Sequence, residues 1–252
     1  MHEADAIFEA RDASKAFGNL RAVDGCSFEV ERGAIVGLIG PNGAGKTTLF
    51  NLAAGAERLD GGQIIFKGED ISRLKPHQRA LKGLGRTFQV TRVFPKMTLM
   101  ENMIVASPHQ HHAHERAVRY LELVRLADKR ADYASNLSFG QQKLLELARI
   151  LMLDPALILL DEPAAGVNPT LLRSLLEFIH RLRDEWGKTF LIIEHNMRLI
   201  MGHCDKIVVM NAGRVIAEGS SDEIQSNAEV LEAYFGNKPA HPSARPAHDQ
   251  RI

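Results

Sequence analysis

The chain has 252 residues, of which 45% are hydrophobic and 25% charged, and its formal net charge is zero. This composition is that of an ordinary globular protein, and the balanced charge argues against a dedicated nucleic-acid-binding protein. No apolar stretch approaches the roughly 18 residues that a membrane-spanning helix needs, and the N-terminus lacks the apolar region of a signal peptide.

Short strands separated by turns are predicted in the first part of the chain. Ile7–Ala10, Cys26–Val30 and Gln63–Lys67 have the pattern of strands, and a turn at Glu31–Gly33 precedes a further strand at Ala34–Ile39. Strands that lie so close together in the sequence favour an antiparallel sheet at one edge of the core.

A glycine-rich run follows the last of these strands. Its sequence, GPNGAGKTT, fits the pattern G-x-x-x-x-G-K-[ST] of a phosphate-binding loop, and a predicted helix continues from Leu49. The glycines let backbone N–H groups approach an anion, and the helix points its positive end at the same anion. Lys46 is expected to reach the outer phosphates, and the Thr47 hydroxyl is expected to ligate Mg²⁺. The predicted nucleotide-binding residues of the run are Gly40, Pro41, Asn42, Gly43, Ala44, Gly45, Lys46, Thr47 and Thr48.

The apolar residues from about Leu74 to Leu153 have helical spacing. One helix is predicted over Ala117–Leu126, and another begins at Ser138 and ends before Pro155. Two polar groups in this region are interpreted as surface rather than as sites. They are the basic residues Lys75, His77, Arg79, Lys82 and Arg86, read as a solvated helix face, and the histidines of 109–114, read as a polar surface segment.

Two carboxylates end the next predicted strand. The continuous apolar run Ala156–Leu160 is typical of a strand buried on both faces of a parallel sheet, and Asp161 and Glu162 follow it. Beside a phosphate loop, Asp161 can hold Mg²⁺. Since side chains alternate along a strand, Glu162 points elsewhere, where it can polarise a water for attack on the γ-phosphate.

The last third of the chain alternates again between helix and strand. Asn168–Pro169 predicts a helix start, with a capping side chain followed by proline, and this helix ends near Gly187. A strand, a short helix and a hairpin follow, at Thr189–Ile193, Met197–Met201, Lys206–Met210 and Val215–Glu218. The polar segment 237–252, rich in proline and histidine, predicts a disordered tail.

The sequence LSFGQ at Leu137–Gln141 completes a set of motifs. Ser138 and Gly140 lie at the start of the predicted helix, a natural place for an anion. With the phosphate loop and the strand-end carboxylates, this motif makes the chain resemble the ATP-binding subunit of an ABC transporter, from Phe8 to Gly236. The resemblance implies an α/β fold with a P-loop NTPase (RecA-like) core around a parallel sheet, an antiparallel β subdomain and an inserted α-helical subdomain at about 90–154. It also implies one ATP-binding domain over 1–236.

The resemblance assigns roles to individual residues. Gly40–Thr48 resembles Walker A, and Leu157–Glu162 resembles Walker B. Gln89 resembles the Q-loop glutamine that senses Mg²⁺ or the attacking water, and His195 resembles the switch histidine that positions this water with the catalytic glutamate. Phe17 falls where the family stacks an aromatic ring on adenine. The implied catalytic residues are Glu162, His195 and Gln89, and the implied metal ligands are Thr47, Gln89 and Asp161.

In this family two ATP-binding subunits meet head to tail. The resemblance therefore implies that Ser138, Gly140 and Gln141 contact the ATP held by another subunit. This chain departs from the family pattern at two positions, because Phe139 replaces the first glycine of the signature and Asn168 replaces the usual D-loop aspartate. Either change can make the two ATP sites of a heterodimer unequal.

Further segments resemble the ATPases of branched-chain amino acid importers; they are Arg86–Gln89, Met97–Asn102, Asp161–Pro169 and Ile193–Met197. This resemblance implies an ATPase that uses ATP and Mg²⁺ at the cytoplasmic face of the membrane. Its implied partners are a second ATPase subunit, permease subunits and, indirectly, a substrate-binding protein, with no nucleic acid. The alternatives are an ABC ATPase for urea or lipid and lipopolysaccharide transport, a soluble ABC ATPase of DNA repair or translation, and a small-molecule kinase.

Overall fold

Two β-sheets organise the chain, of which the computed structural model describes residues 6–87, 92–106 and 111–235. The strands are β1 (Ala6–Phe17), β2 (Leu20–Glu31), β3 (Ile35–Ile39), β4 (Gly61–Phe66), β5 (Glu69–Asp70), β6 (Leu84–Arg86), β7 (Leu157–Asp161), β8 (Thr189–Ile193), β9 (Lys206–Asn211) and β10 (Arg214–Gly219). The α-helices are α1 (Lys46–Ala54), α2 (Pro76–Leu81), α3 (Leu99–Val105), α4 (Ala113–Leu123), α5 (Phe139–Leu151), α6 (Pro169–Trp186), α7 (Met197–His203), α8 (Ser221–Ser226) and α9 (Ala228–Phe235). Two short 3-10 turns, Ala127–Lys129 and Ala134–Asn136, lie between α4 and α5.

The larger sheet has six strands in the order β10-β9-β3-β8-β7-β6. The five neighbouring strands β9, β3, β8, β7 and β6 run parallel to one another, and β10 is antiparallel to β9. The smaller sheet is antiparallel, in the order β2-β1-β4-β5. Because the carboxyl ends of parallel strands meet at one edge, the segments that follow β3, β7 and β8 lie together at that edge.

The parallel strands are buried on both faces, as their continuous apolar sequences predict. In β3, Ile35 and Ile39 pack in a core with residues of α3 to α9. Val36 and Leu38 pack on the opposite face, in a second core with α1 and the antiparallel sheet. The predicted α/β fold class is thereby confirmed.

Two predicted helix starts are confirmed in detail. The Asn168 side chain accepts a hydrogen bond from the Leu171 N–H at 2.9 Å and caps α6, which ends at Gly187 in the left-handed conformation. The Ser138 hydroxyl caps α5 in the same way, through the Gln141 N–H. Both helix starts are determined by nearby residues in the sequence, because each capping side chain satisfies an N–H group of the first turn that the helix itself leaves unpaired.

The helical prediction for 74–153 is wrong at Leu84–Arg86, which forms the edge strand β6 beside β7. Three residues are too few for a strand period to show in the sequence. The middle residue, Gly85, lets α5 and the following turn approach, since a Cβ there would lie 2.5 Å from the Ile150 side chain. The helices α3, α4 and α5 lie within 90–154, and the predicted limits of a helical subdomain stay a prediction.

The basic residue Arg79 is not on a solvated helix face, and Arg86 lies in strand β6, which corrects the interpretation for these two residues, whereas Lys75, His77 and Lys82 are exposed as interpreted. The Arg79 side chain is 1% exposed, and its guanidinium donates to the carbonyls of Leu52 and Ala53 at 2.6 and 2.7 Å. It also donates to the carbonyls of Leu74 and Ser72. Arg79 therefore satisfies carbonyl groups at the C-terminal end of α1, the helix that carries the phosphate loop.

We expect Arg79→Met to lower the free energy of unfolding by about 3 kcal/mol, because it removes a buried guanidinium that donates to four backbone carbonyls. For a chain of this size the melting temperature then falls by about 6–12 °C. Thermal unfolding followed by circular dichroism measures this, with the exposed Arg73→Met as the matched control. Equal melting temperatures for the two variants would contradict the capping role.

Within the described parts of the chain, no helix combines the length and apolarity required to cross a membrane. His111, His112 and His114 are exposed, whereas His109 lies outside the described residues. The tail at 237–252 also lies outside them.

Candidate active site

The phosphate loop connects β3 to α1. Two of its glycines are required by close backbone approach: a Cβ at Gly40 would lie 2.2 Å from the carbonyl oxygen of Met210, and one at Gly45 would lie 2.1 Å from that of Ala22. Gly45 also has a φ of 97°, which L-residues with a side chain rarely adopt. The loop can therefore fit between β2 and β9 only with glycine at these positions.

Helix α1 begins directly at the loop, with Lys46 as its first residue. Its N-cap, Gly45, supplies no side-chain cap, so the N–H groups of the first turn point into the loop without a side-chain partner there. The Lys46 ammonium donates to the carbonyls of Gly40 and Pro41 at 2.7 and 3.0 Å. Burial lowers the pKa of Lys46, while the negative charge of Glu162 acts in the opposite direction. Oriented N–H groups and a buried cation together favour a bound anion.

A cavity of about 510 Å³ opens over this loop. The structure brings Phe17, the loop and His195 together around it, with the β2 residues Leu20, Arg21 and Ala22 and with Ala212. Phe17 is 48% exposed, as expected of an aromatic ring that is free to stack on a base. The predicted loop residues that line the cavity are Asn42, Gly43, Ala44, Gly45, Lys46, Thr47 and Thr48. The other two, Gly40 and Pro41, accept hydrogen bonds from Lys46 through their carbonyls.

Glu162 and His195 face each other across neighbouring strand ends. Glu162 follows β7 and His195 follows β8, and the Glu162 N–H donates to the Ile193 carbonyl at 3.0 Å. The His195 Nε2–H donates to Oε1 of Glu162 at 2.7 Å. An imidazole and a carboxylate at this distance can hold a water between protein and substrate and accept its proton.

Asp161 lies deeper than Glu162. It is 6% exposed, and its Oδ2 is 3.4 Å from the Arg86 guanidinium, whose face lies over the Phe50 ring. Burial raises the pKa of Asp161, and the charge of Arg86 opposes that shift. Sequence reasoning did not find the pairing with Arg86, because only the fold brings residues so distant in sequence into contact.

The donor set is of the kind that Mg²⁺ prefers. Hard oxygen ligands are available from the hydroxyl of Thr47, which lines the cavity, and from the carboxylate of Asp161, which is buried at the end of β7 and does not line the cavity. The residues present thus fit a magnesium ion in ligand type. Gln89, the third predicted metal ligand and a predicted catalytic residue, lies outside the described residues.

Ser138, Gly140 and Gln141 do not meet the phosphate loop within this chain. Ser138 and Gln141 line a separate cavity of about 520 Å³ with residues at the start of α6. The Ser138 N–H donates to the Gln141 side chain at 3.1 Å, which closes a capping box at the first turn of α5. Gly140 packs against α6, since a Cβ there would lie 1.8 Å from the Leu171 side chain. Of these three predicted nucleotide-binding residues, Ser138 is exposed and Gln141 half-buried beside this second cavity, whereas Gly140 is buried against α6.

The two departures from the family pattern have defined surroundings. Phe139 is 46% exposed, and its ring packs so closely on Gly166 that a Cβ there would lie 3.0 Å from it. Asn168 caps α6, a role that aspartate fills equally well. The neutral side chain at 168 is thus compatible with the local structure.

Two charged residues at this edge were missed by sequence reasoning. Lys143 of α5 donates to three backbone carbonyls just after β7, and Glu194, which is 4% exposed, accepts from the Ala164 N–H. The sequence does contain a signal for Glu194, because this glutamate directly follows the predicted buried strand Thr189–Ile193 and precedes His195. A carboxylate at such a position is expected to have a partner, since buried charges are rare without one. Lys143 gives no such signal, since a lysine on a helix is ordinarily exposed.

Comparison with known proteins gives a consistent result. Residues 23–165 match the family model described as "ABC transporter", and residues 214–239 match "Branched-chain amino acid ATP-binding cassette transporter". The chain is 41% identical to the high-affinity branched-chain amino acid transport ATP-binding protein BraF of Pseudomonas aeruginosa, with 91% of this chain and 98% of BraF covered. It is 40% identical to LivG of Escherichia coli K12, a protein of the same description, with 87% and 94% covered.

Solved structures are similar to this chain over most of its length. The ADP conformation of MJ1267, an ATP-binding cassette of an ABC transporter, superimposes with a TM-score of 0.85. It is 34% identical to this chain, and the alignment covers 92% of this chain and 99% of MJ1267. A nucleotide-free ATP-binding cassette from an ABC transporter gives a TM-score of 0.84 at the same identity.

Proposed function

The chain belongs to the ABC transporter ATP-binding family, and from this premise we propose that it hydrolyses ATP to drive import of branched-chain amino acids. The single observation that carries the proposed chemistry is the contact of 2.7 Å between His195 Nε2 and Glu162 Oε1 beside the phosphate loop. The similarity to BraF and LivG over nearly the whole chain supports the transported class.

In the proposed mechanism the loop binds the triphosphate through its N–H groups, and Lys46 neutralises the outer phosphates. Phe17 stacks on the base. His195 holds the γ-phosphate and the Glu162 side chain in one geometry, and Glu162 orients the attacking water and accepts its proton. Magnesium, when bound by Thr47, Asp161 and Gln89, supplies positive charge that neutralises the developing negative charge on the phosphates.

We infer that the active site is completed by a second ATP-binding subunit. The position of Ser138 and Gln141, beside a cavity separate from the one over the phosphate loop of their own chain, supports this inference. In the proposed assembly these residues close over the ATP held by the neighbour. Phe139, which is 46% exposed at the same end of α5, is the position at which we expect the two ATP sites to differ if the partner is a different subunit.

The proposed location is the cytoplasmic face of the membrane, beside permease subunits that receive the transported substrate from a substrate-binding protein. A second candidate is the same ATPase in another transport system, for urea, amides or lipids, because the substrate is selected by the other subunits. A soluble role in DNA repair or translation is less favoured, since the curated relatives named above are transport proteins over their whole length.

Reconstitution tests the proposal. The full chain, assembled in liposomes with the permeases, second ATPase and binding protein of a branched-chain amino acid importer, is expected to support ATP-dependent uptake of labelled leucine, isoleucine and valine. Each of the three amino acids should compete with the others, and urea and short amides should not. Uptake of urea alone, or isolation of the chain with nucleic acid and no permease, would contradict the proposal.

A further inference from the structure

We propose that Lys143 and Glu194 together clamp the backbone of residues 162–166 and thereby position the Glu162 carboxylate for catalysis. We call residues 162–166 the carboxylate loop, because it begins with Glu162 and follows β7. The inference rests on the proposed role of Glu162. Both residues are positioning residues in it, since each contacts the backbone of the loop and not the substrate.

Lys143 holds the carboxylate loop from the side of α5. Its ammonium donates to the carbonyls of Glu162 and Pro163, each at 3.2 Å, and to that of Ala165 at 2.7 Å. An ammonium group has three protons, so all of them are used on one short stretch of backbone. Lysine normally leaves its charge in water, and this one is turned inward onto the loop instead.

Glu194 holds the same loop from the side of β8. Its Oε1 accepts from the Ala164 N–H at 2.7 Å, and its Oε2 accepts from the His195 N–H at 3.2 Å. The side chain is 4% exposed, so these bonds replace the water that a carboxylate otherwise requires. One carboxylate thus ties the carboxylate loop to the segment that carries His195.

The two charged groups are stabilised in different ways. Burial lowers the pKa of Lys143, and the negative charge of Glu194 is the strongest of the influences that oppose this shift. Burial likewise raises the pKa of Glu194, and its bonds to backbone N–H groups oppose the rise. Removing the charge of Glu194 therefore leaves the ammonium of Lys143 less well compensated.

The carboxylate loop needs such support because its conformation is unusual. Glu162 has a φ of 48°, a left-handed backbone that is uncommon for residues other than glycine and is kept only where the surroundings enforce it. Within the loop, the Ala165 N–H donates to the Glu162 carbonyl at 3.1 Å. The strained residue is thus the one that presents its carboxylate to His195.

The clamp also joins the two halves of the site within one chain. Lys143 lies on α5 directly after Ser138–Gln141, and its ammonium is 5.2 Å from the centre of the Phe139 ring, which packs on Gly166. The side chain of Lys143 therefore joins the first turns of α5 to the carboxylate loop.

The test uses the full-length chain with Lys143→Met, which keeps the length of the side chain and removes its charge and donors. We expect kcat for ATP hydrolysis to fall about 10- to 100-fold, since misplacing a catalytic group by about 1 Å has effects of this size. The KM for ATP should stay within about twofold, because the phosphate loop is untouched. Lys143→Arg, which retains a cation and donors, should recover most of the lost kcat.

A second readout does not depend on activity. Hydrogen exchange of the Ala164 amide, followed by mass spectrometry on a peptide that spans 162–168, should become at least about tenfold faster in Lys143→Met. Glu194→Gln should have the same effect in a smaller degree, because the amide oxygen still accepts one bond. Because both act on one loop, the double variant should lose less kcat than the product of the two single losses.

The matched control is Lys188→Met. Lys188 is a buried lysine, 8% exposed, and its ammonium pairs with Asp154 at 2.6 Å at the opposite end of β8 from His195. It should lower the melting temperature without altering kcat or the exchange of 162–168. Unchanged exchange in Lys143→Met, or faster exchange with unchanged kcat, overturns the clamp. If the unsubstituted chain does not hydrolyse ATP, the proposed function fails, and exchange alone still decides whether the clamp exists.

Discussion

The Glu162→Gln variant is expected to hydrolyse ATP about 10²–10⁴-fold more slowly than the unsubstituted chain, the usual contribution of a positioned general base. The glutamine amide keeps the size of the side chain and can still pair with the His195 ring, which lies 2.7 Å from Glu162 Oε1. It cannot accept a proton from water. Binding of ATP should therefore persist, and the variant should accumulate as an ATP-bound dimer with its partner ATPase subunit.

Steady-state phosphate release and size-exclusion chromatography with ATP measure these two effects. The matched control is Glu185→Gln on α6, where an exposed carboxylate pairs with Arg181 and loses only a surface ion pair. This control should leave kcat unchanged. Turnover by Glu162→Gln at the rate of the unsubstituted chain would show that another group activates the water.

The parts of the fold that surround the site could be predicted because they carry local patterns. The apolar run before Asp161 and the glycines around Lys46 each determine a strand end or a loop without reference to distant residues. Parallel pairing of β3, β8 and β7 then brings the ends of these elements to one edge. The placement of His195 beside Glu162 follows from this topology.

The contacts that orient the site could not be predicted, because they join side chains to the backbone of distant segments. Arg79 is a basic residue among others in the sequence, and only the fold places it against the carbonyls of α1. Lys143 likewise has the sequence context of a surface residue on an amphipathic helix, although it binds the carboxylate loop. Edge strand β6 was missed for a related reason, since its identity depends on pairing with β7.

These contacts also explain how a strained residue can be held at the centre of the site. Glu162 adopts a left-handed backbone, and the groups that enforce it come from α5, β8 and the loop itself. The interactions that maintain the geometry of the Glu162 carboxylate, the proposed catalytic group, therefore come from outside the motif in which it lies. A motif search recognises Asp161 and Glu162, but their orientation depends on Arg86, Lys143 and Glu194.

The second large effect is expected at Lys46, where Lys46→Met should weaken ATP binding about 10- to 100-fold. Hydrogen bonds to charged groups contribute about 1.5–3 kcal/mol, and each 1.4 kcal/mol changes a dissociation constant about tenfold. The methionine side chain fills a similar space but leaves the phosphates without the cation. Titration calorimetry with a non-hydrolysable ATP analogue measures the change.

Lys206→Met is the control for Lys46→Met, because Lys206 pairs with Glu218 on the hairpin of β9 and β10 and does not line the cavity over the loop. Its affinity for the analogue should equal that of the unsubstituted chain. Unchanged affinity in Lys46→Met would place the triphosphate elsewhere. Lys46→Met should thus change the dissociation constant of ATP, because in the proposed mechanism Lys46 holds the phosphates in both the ground state and the transition state. Glu162→Gln should instead change turnover, because Glu162 acts only when water attacks.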